Sequence, residues 1–299
     1  MSNSPDGGSL TKAQSYALVV VAAVLLSAIL APVAYDRATQ PDGTVAVITI
    51  EGPITSNSAT AVQEDLREAR ENESIDAVVL NVDSPGGGAA ASEQLYLSVQ
   101  RTAAEMPVVA SVKSTGASGA YYAMLPTSDI YVTPASIVGS VGVRAASPGP
   151  SLPGEVKSGP DKASATADQR RAQVETLQRA FVGSVMKHRS DDLELSRTEV
   201  AHAKVYTGAR AVDNGMADEI GSTQDAIRQA ANAADLDDYE VYRKEPPQTG
   251  GLFLLSADDG GAVVVERSPV GYETVDTPTL LMVYGTVQTE SEVIGNVSA

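Results

Sequence analysis

Apolar residues are distributed along this chain in distinct patterns, and each pattern predicts a different element. From Tyr16 to Tyr35 there is no charge, and Ala, Val, Leu and Ile dominate. Twenty residues at about 1.5 Å each span the roughly 30 Å hydrocarbon core of a bilayer, so this stretch predicts one membrane-crossing helix. A cleaved signal peptide is the competing reading, with Ala31-Pro32-Val33-Ala34 as an imperfect small-residue cleavage pattern. Lys12 before the stretch is balanced by Arg37 after it, so basic flanks do not set its orientation.

Beyond residue 43 the pattern alternates. Thr44–Ile50 is a β-branched run of the kind that forms a buried strand, and Ser58–Arg70 has helical spacing with charges on one face. Ile75–Val82 predicts a second strand, Ala89–Glu105 a helix and Pro107–Val112 a third strand, with a shorter one at Asp129–Thr133. Long amphipathic spacing predicts a helix over Thr166–Arg189, followed by shorter helices over Arg197–Ala203 and Thr223–Ala234. Strand–helix–strand alternation implies an α/β fold with a parallel sheet and right-handed crossovers. The last fifty residues or so hold Pro246-Pro247, a glycine-rich stretch at 250–261 and an apolar run, Leu280–Tyr284. They predict loop with one or two strands and contain no motif. The expected organisation is a tail (1–15), an anchor (16–35), a linker (36–43), a main domain (44–245) and a C-terminal extension (246–299).

Charge narrows the function. The net charge is −17, from 21 Lys and Arg against 38 Asp and Glu, which disfavours nucleic-acid phosphates as partners. Such acidity, with two Phe and no Trp, is similar to that of proteins from high-salt environments; an ordinary acidic surface is the plainer alternative. No cysteine is present, which removes disulfides, thiolate metal sites and a cysteine nucleophile. The two histidines, His188 and His202, lie in charged surroundings on or beside the downstream helices and read as surface residues. They lack paired-ligand spacing, so neither a metal nor another cofactor is implied.

Three stretches carry candidate chemistry. Asp83-Ser84-Pro85-Gly86-Gly87-Gly88 follows the second strand, where a glycine-rich turn can aim amides into a crevice. It reads as a plain tight turn, as an oxyanion hole, or as a phosphate cradle that lacks the usual Lys-Ser/Thr. Gly116-Ala117-Ser118-Gly119-Ala120-Tyr121-Tyr122 follows the third strand. There Ser118 is either an ordinary helix N-cap or a nucleophile held at a strand end. Val156-Lys157-Ser158-Gly159-Pro160-Asp161-Lys162-Ala163 brings two lysines close together in a chain where lysine is scarce. A lysine can act as a base only where burial or a like charge lowers its pKa; otherwise it is a solvated side chain.

In order, these stretches resemble the signal peptide peptidase A family, serine proteases on the Clp-protease/crotonase fold. The resemblance runs from about Thr44 to Gly221, through Gly139-Ser140-Val141-Gly142, Val205-Tyr206-Thr207-Gly208-Ala209 and Gly215-Met216-Ala217-Asp218-Glu219-Ile220-Gly221. It implies a parallel β-sheet superhelix with flanking helices. It also implies Ser118 as nucleophile, Lys162 rather than Lys157 as general base, Ser140 as the residue that orients the lysine, and Gly87 and Gly119 as oxyanion-hole donors. Two departures are local: only thirteen residues separate Val143 from Lys157, fewer than the family usually has, and Ala163 stands where an aspartate often follows the lysine. The implied partners are peptide substrates such as cleaved signal peptides, a membrane held through the N-terminal helix, and further copies of the chain in a homo-oligomer. The implied location is the cell membrane, single-pass, with an extracytoplasmic catalytic domain. A crotonase-type acyl-CoA hydratase or isomerase, and an inactive membrane scaffold of the same fold, are the alternatives.

Overall fold

A computed structural model describes residues 41–145 and 166–244 continuously, the strands at 253–256, 262–265 and 280–283, and several helical positions between Tyr16 and Ala28. Residues 1–42 form one unit and residues 43–299 another. In the first unit the described positions Tyr16, Val20, Val21, Val24 and Leu26 are helical and exposed. Most of the expected anchor, and the lysine stretch at 156–163, fall outside the described residues. Among the described residues no helix is long and apolar enough to cross a membrane.

The second unit is built on β1 (Gly43–Glu51), β2 (Ile75–Ser84), β4 (Val108–Ala117), β5 (Asp129–Val132), β6 (Ile137–Gly139), β8 (Val205–Thr207), β9 (Glu219–Ile220) and β10 (Tyr239–Lys244). The main path runs β10-β1-β2-β4-β5-β9, with every neighbour parallel. β6 leaves that path. It pairs parallel with the carboxyl end of β4, Thr115–Ala117, and antiparallel with β8. The sheet is therefore mixed, where strand–helix alternation alone predicted a parallel one.

Helices cover both faces, which is why the central strands are apolar almost without interruption. On one face Ile48, Leu80, Val82 and Ala110 pack in a core with α1 (Ser56–Glu71), α2 (Ala89–Ala103), α3 (Gly119–Met124) and α4 (Ala167–Arg189). On the other, Val45, Val47, Ala77, Val79 and Val109 pack with Ala226, Ile227, Ala230 and Ala231 of α7 (Thr223–Ala233). Between them in sequence, α5 (Arg197–Ala201) and α6 (Gly208–Asp213) flank β8. Thr55, Thr166, Ser196 and Ser222 each close a reciprocal capping box at a helix start, fixing where α1, α4, α5 and α7 begin.

Two smaller sheets complete the unit. β11 (Phe253–Ser256) and β12 (Ala262–Val265) form an antiparallel pair. β3 (Gly86–Gly88), β13 (Leu280–Val283) and β7 (Arg144–Ala145) form the other sheet, in the order β3-β13-β7. The Gly86–Gly88 segment, read from sequence as a tight turn in its plainest form, is thus a strand. Among the described residues the extension holds three strands, where one or two were expected.

Candidate active site

β4 ends at Ala117 and α3 begins at Gly119, leaving Ser118 alone in the corner with φ 55° and ψ −119°. A positive φ is strained for a residue with a side chain, and such strain of about 1–3 kcal/mol persists only where surroundings enforce it. Three contacts enforce it here. The Ser118 amide donates to the Gly139 carbonyl at 2.8 Å, the Tyr122 amide donates to the Ser118 carbonyl at 2.9 Å, and the Thr115 amide donates to Asp83 Oδ1 at 3.1 Å. The two tyrosines of the motif anchor the short helix beyond. Tyr121 is fully buried and donates its hydroxyl to the Met216 carbonyl at 2.7 Å; burial pushes that phenol well above its ordinary pKa. Tyr122 stacks on Tyr96 at 4.7 Å and takes the edge of Phe181 at 4.9 Å.

Ser118 is 1% exposed, and its side chain makes no capping hydrogen bond although it occupies the N-cap position. The plain N-cap reading is therefore overturned. Among the described residues, its Oγ is the one buried side-chain oxygen or nitrogen without a hydrogen-bond partner. An unpaired buried hydroxyl costs about 1–3 kcal/mol.

Ser140 lies at the start of the turn after β6 and also has a positive φ, 54°. Its amide donates to the Lys204 carbonyl at 2.8 Å, and Gln178 of α4 donates to the Val141 carbonyl at 2.8 Å. Gly139 sits at φ +106°, where a Cβ would come 2.7 Å from the Lys204 carbonyl oxygen. Because Ser118 bonds the residue immediately before Ser140, the two serine turns are locked to each other.

The third component is β3. Ile54 donates its amide to the Gly86 carbonyl at 2.9 Å and accepts from the Gly88 amide at 2.8 Å. A Cβ on Gly87 would lie 2.0 Å from the Ile54 carbonyl oxygen, so only glycine fits. Strand alternation then turns the N–H and C=O of Gly87 away from Ile54, toward the edge where Met282 of β13 pairs with it. Gly119 is buried as the first residue of α3.

Of the five residues singled out in sequence, Ser118, Ser140, Gly87 and Gly119 are described, and Lys162 is not. Gln178 and the Lys204 backbone, which hold the Ser140 turn in place, carried no recognisable signal, and Asp83, which holds the Ser118 corner, was singled out only as part of the glycine-rich stretch. His188 is corrected from surface to half-buried: it packs edge-on against Tyr96 at 5.7 Å, its Nε2 lies 2.9 Å from the Tyr96 hydroxyl, and burial lowers its pKa, helped by Lys187 and Arg189. His202 is exposed, as expected. Among the described residues no group of three His, Asp or Glu is arranged to hold a metal ion.

Comparison with known proteins follows the same residues. The model of peptidase family S49 matches residues 100–149 and 159–237, which include Ser118 and Ser140. A provisionally named protease of Methanocaldococcus jannaschii is 31% identical over 210 residues, covering 64% of this chain and 67% of that one. Protease 4 of Salmonella typhi is 30% identical over 230 residues, covering 68% of this chain but only 37% of its own length. A solved structure, that of a membrane-bound stomatin-specific protease variant, shares the fold with a TM-score of 0.51 at 18% identity, covering 69% of this chain and all of that one. The chain belongs to peptidase family S49, the family of signal peptide peptidase A, and is a serine peptidase.

Proposed function

We propose that Ser118 is the nucleophile of a Ser-Lys dyad whose base is Lys162, in an endopeptidase that cleaves apolar peptides, remnant signal peptides among them. The observation that carries this reading is the Ser118 hydroxyl itself: buried, unpartnered among the described residues, and held in a strained corner at a strand end. The family's lysine element, Lys157-Ser158-Gly159-Pro160-Asp161-Lys162, supplies the base.

In the proposed reaction the neutral Lys162 amine takes the Ser118 proton as Oγ attacks the scissile carbonyl. The amides of Gly87 and Gly119 hold the resulting oxyanion, a contribution of about 3–4 kcal/mol per donor in comparable sites. The Lys162 ammonium then gives its proton to the leaving amine as the C–N bond breaks. Water, deprotonated by the same amine, releases the acyl group as a carboxylic acid and regenerates the serine. Ser140, whose turn is tied to that of Ser118, orients the lysine. The uncharged segment at 16–35 anchors the chain in the cell membrane, the catalytic unit lies outside the cytoplasm, and several copies assemble. Family membership favours this reading over the hydratase and scaffold alternatives.

Hydrolysis of an apolar fluorogenic peptide tests it. Ser118→Ala and Lys162→Ala each lower kcat by about 10³-fold or more, the double variant is no worse than either, and Lys157→Ala leaves the rate unchanged. Loss of activity in Lys157→Ala with Lys162→Ala intact would move the base to Lys157.

A further inference from the structure

Between β3 and β7 there is a slot one strand wide, and the chain fills it with its own C-terminal residues. Leu281, Met282 and Val283 pair antiparallel with Gly88, Gly87 and Gly86, while Leu280 and Leu281 pair antiparallel with Ala145 and Arg144. β3 has one edge committed to Ile54 and one edge open, and the open edge is the one that β13 takes. β7 follows closely after the Ser140 turn, and β13 also contacts α2 and α3, the helix that starts beside Ser118. Backbone pairing on both edges is how a sheet captures an extended peptide of almost any sequence. The captured sequence here, Leu-Leu-Met-Val, is uncharged in a chain of net charge −17.

We infer that Leu280–Val283 is a tethered competitor, a strand that occupies the peptide slot beside Ser118 and must leave before a substrate peptide can pair with Gly86–Gly88. The inference rests on the reading of Ser118 as the nucleophile, and it makes the extension a restraint on the enzyme rather than an appendage. Its strength follows from the tether. Thirty-five residues of the same chain lie between Lys244, the end of β10, and Leu280, and a tether of that order holds the strand at an effective concentration on the order of 1 mM. Against a short-peptide Kd on the order of 0.1 mM, competition of that kind raises the apparent KM about tenfold and leaves kcat alone. The Gly87 amide, proposed as an oxyanion donor, is on the edge that β13 pairs with, so while β13 is in the slot that amide does not reach a substrate carbonyl.

Two full-length variants test this. Met282→Pro removes the N–H at the position paired with Gly87, and replacement of Leu280–Val283 by Gly-Ser-Gly-Ser keeps the amides but weakens strand formation. Both are expected to lower KM for an apolar fluorogenic peptide about tenfold at unchanged kcat. A fluorescein-labelled peptide of residues 276–287 is expected to bind each variant, made in a Ser118→Ala background, about tenfold more tightly than it binds Ser118→Ala alone. Equal binding of the labelled peptide to all three overturns the inference. Tighter binding to the variants without peptide hydrolysis by any Ser118-containing chain upholds it and counts instead against Ser118 as the nucleophile.

Discussion

The amide of Ser118 donates to the carbonyl of Gly139 at 2.8 Å, and the next residue along that strand end is Ser140. One backbone hydrogen bond thus couples the corner that presents the proposed nucleophile to the turn that presents the residue proposed to orient its base. Both serines have positive φ, 55° and 54°, so neither turn is the relaxed choice of its own sequence. At both positions the strain falls on a residue proposed to take part in the reaction.

The Ser118 corner sets activity against stability. Ser118→Gly removes both the unpartnered hydroxyl and the penalty of a side chain at positive φ. It is expected to raise unfolding free energy by about 1–2 kcal/mol while abolishing peptide hydrolysis. Urea unfolding of wild type and variant checks this; a variant less stable than wild type would show that the corner is not strained.

Gly87 is predicted to be intolerant for a steric reason. In Gly87→Ala the new methyl would sit 2.0 Å from the Ile54 carbonyl oxygen, so β3 has to shift outward. Overpacking of this kind costs about 1–3 kcal/mol, and displacement of an oxyanion donor lowers kcat about 10²–10³-fold. Gly88→Ala, whose nearest neighbours would lie 3.8 Å away, is the control and is expected to fold normally. Parallel melting curves and kcat values for the two variants make the comparison.

His188 gives a stability change with a defined sign. Burial lowers its pKa below the ordinary 6.5, so the unfolded chain binds a proton that the folded chain resists. Its contribution is therefore complete above 6.5 and declines as the pH falls from there toward the lowered folded value. Urea midpoints of wild type are expected to drop across that window more steeply than those of His188→Gln, which lacks the titrating ring. Parallel slopes for the two would contradict the burial of the ring against Tyr96.

Much of the frame was legible because local pattern and tertiary role agree. Thr44–Ile50 and Ile75–Val82 are rich in β-branched and apolar residues and largely buried, and the helical spacing over Thr166–Arg189 coincides with the helix Ala167–Arg189 that Thr166 caps. Ser118 was legible as part of an ordered motif. What escaped is non-local. Gly86-Gly87-Gly88 has no intrinsic strand preference; it is a strand because Ile54 pairs on one edge and residues 281–283 on the other. The branch of β6 away from the main path comes from its antiparallel pairing with β8, nearly seventy residues later. Arg189, the last residue of α4, is 3% exposed because of partners distant in sequence: its guanidinium bonds both oxygens of Asp218 at 2.7 and 2.9 Å and the Gly215 carbonyl at 3.0 Å. His188 is half-buried through Tyr96, ninety-two positions earlier.

The most direct test of the central claim is the rate at which a fluorophosphonate labels the chain, measured from about pH 6 to about pH 10. The wild-type rate is expected to rise with pH as the Lys162 amine loses its proton, because only the neutral amine accepts one from Ser118. Ser118→Ala is expected not to label, and Lys162→Ala to label slowly with the rise lost. Labelling of Ser118→Ala at the wild-type rate, or a wild-type rate flat across the range, would contradict the Ser118–Lys162 dyad.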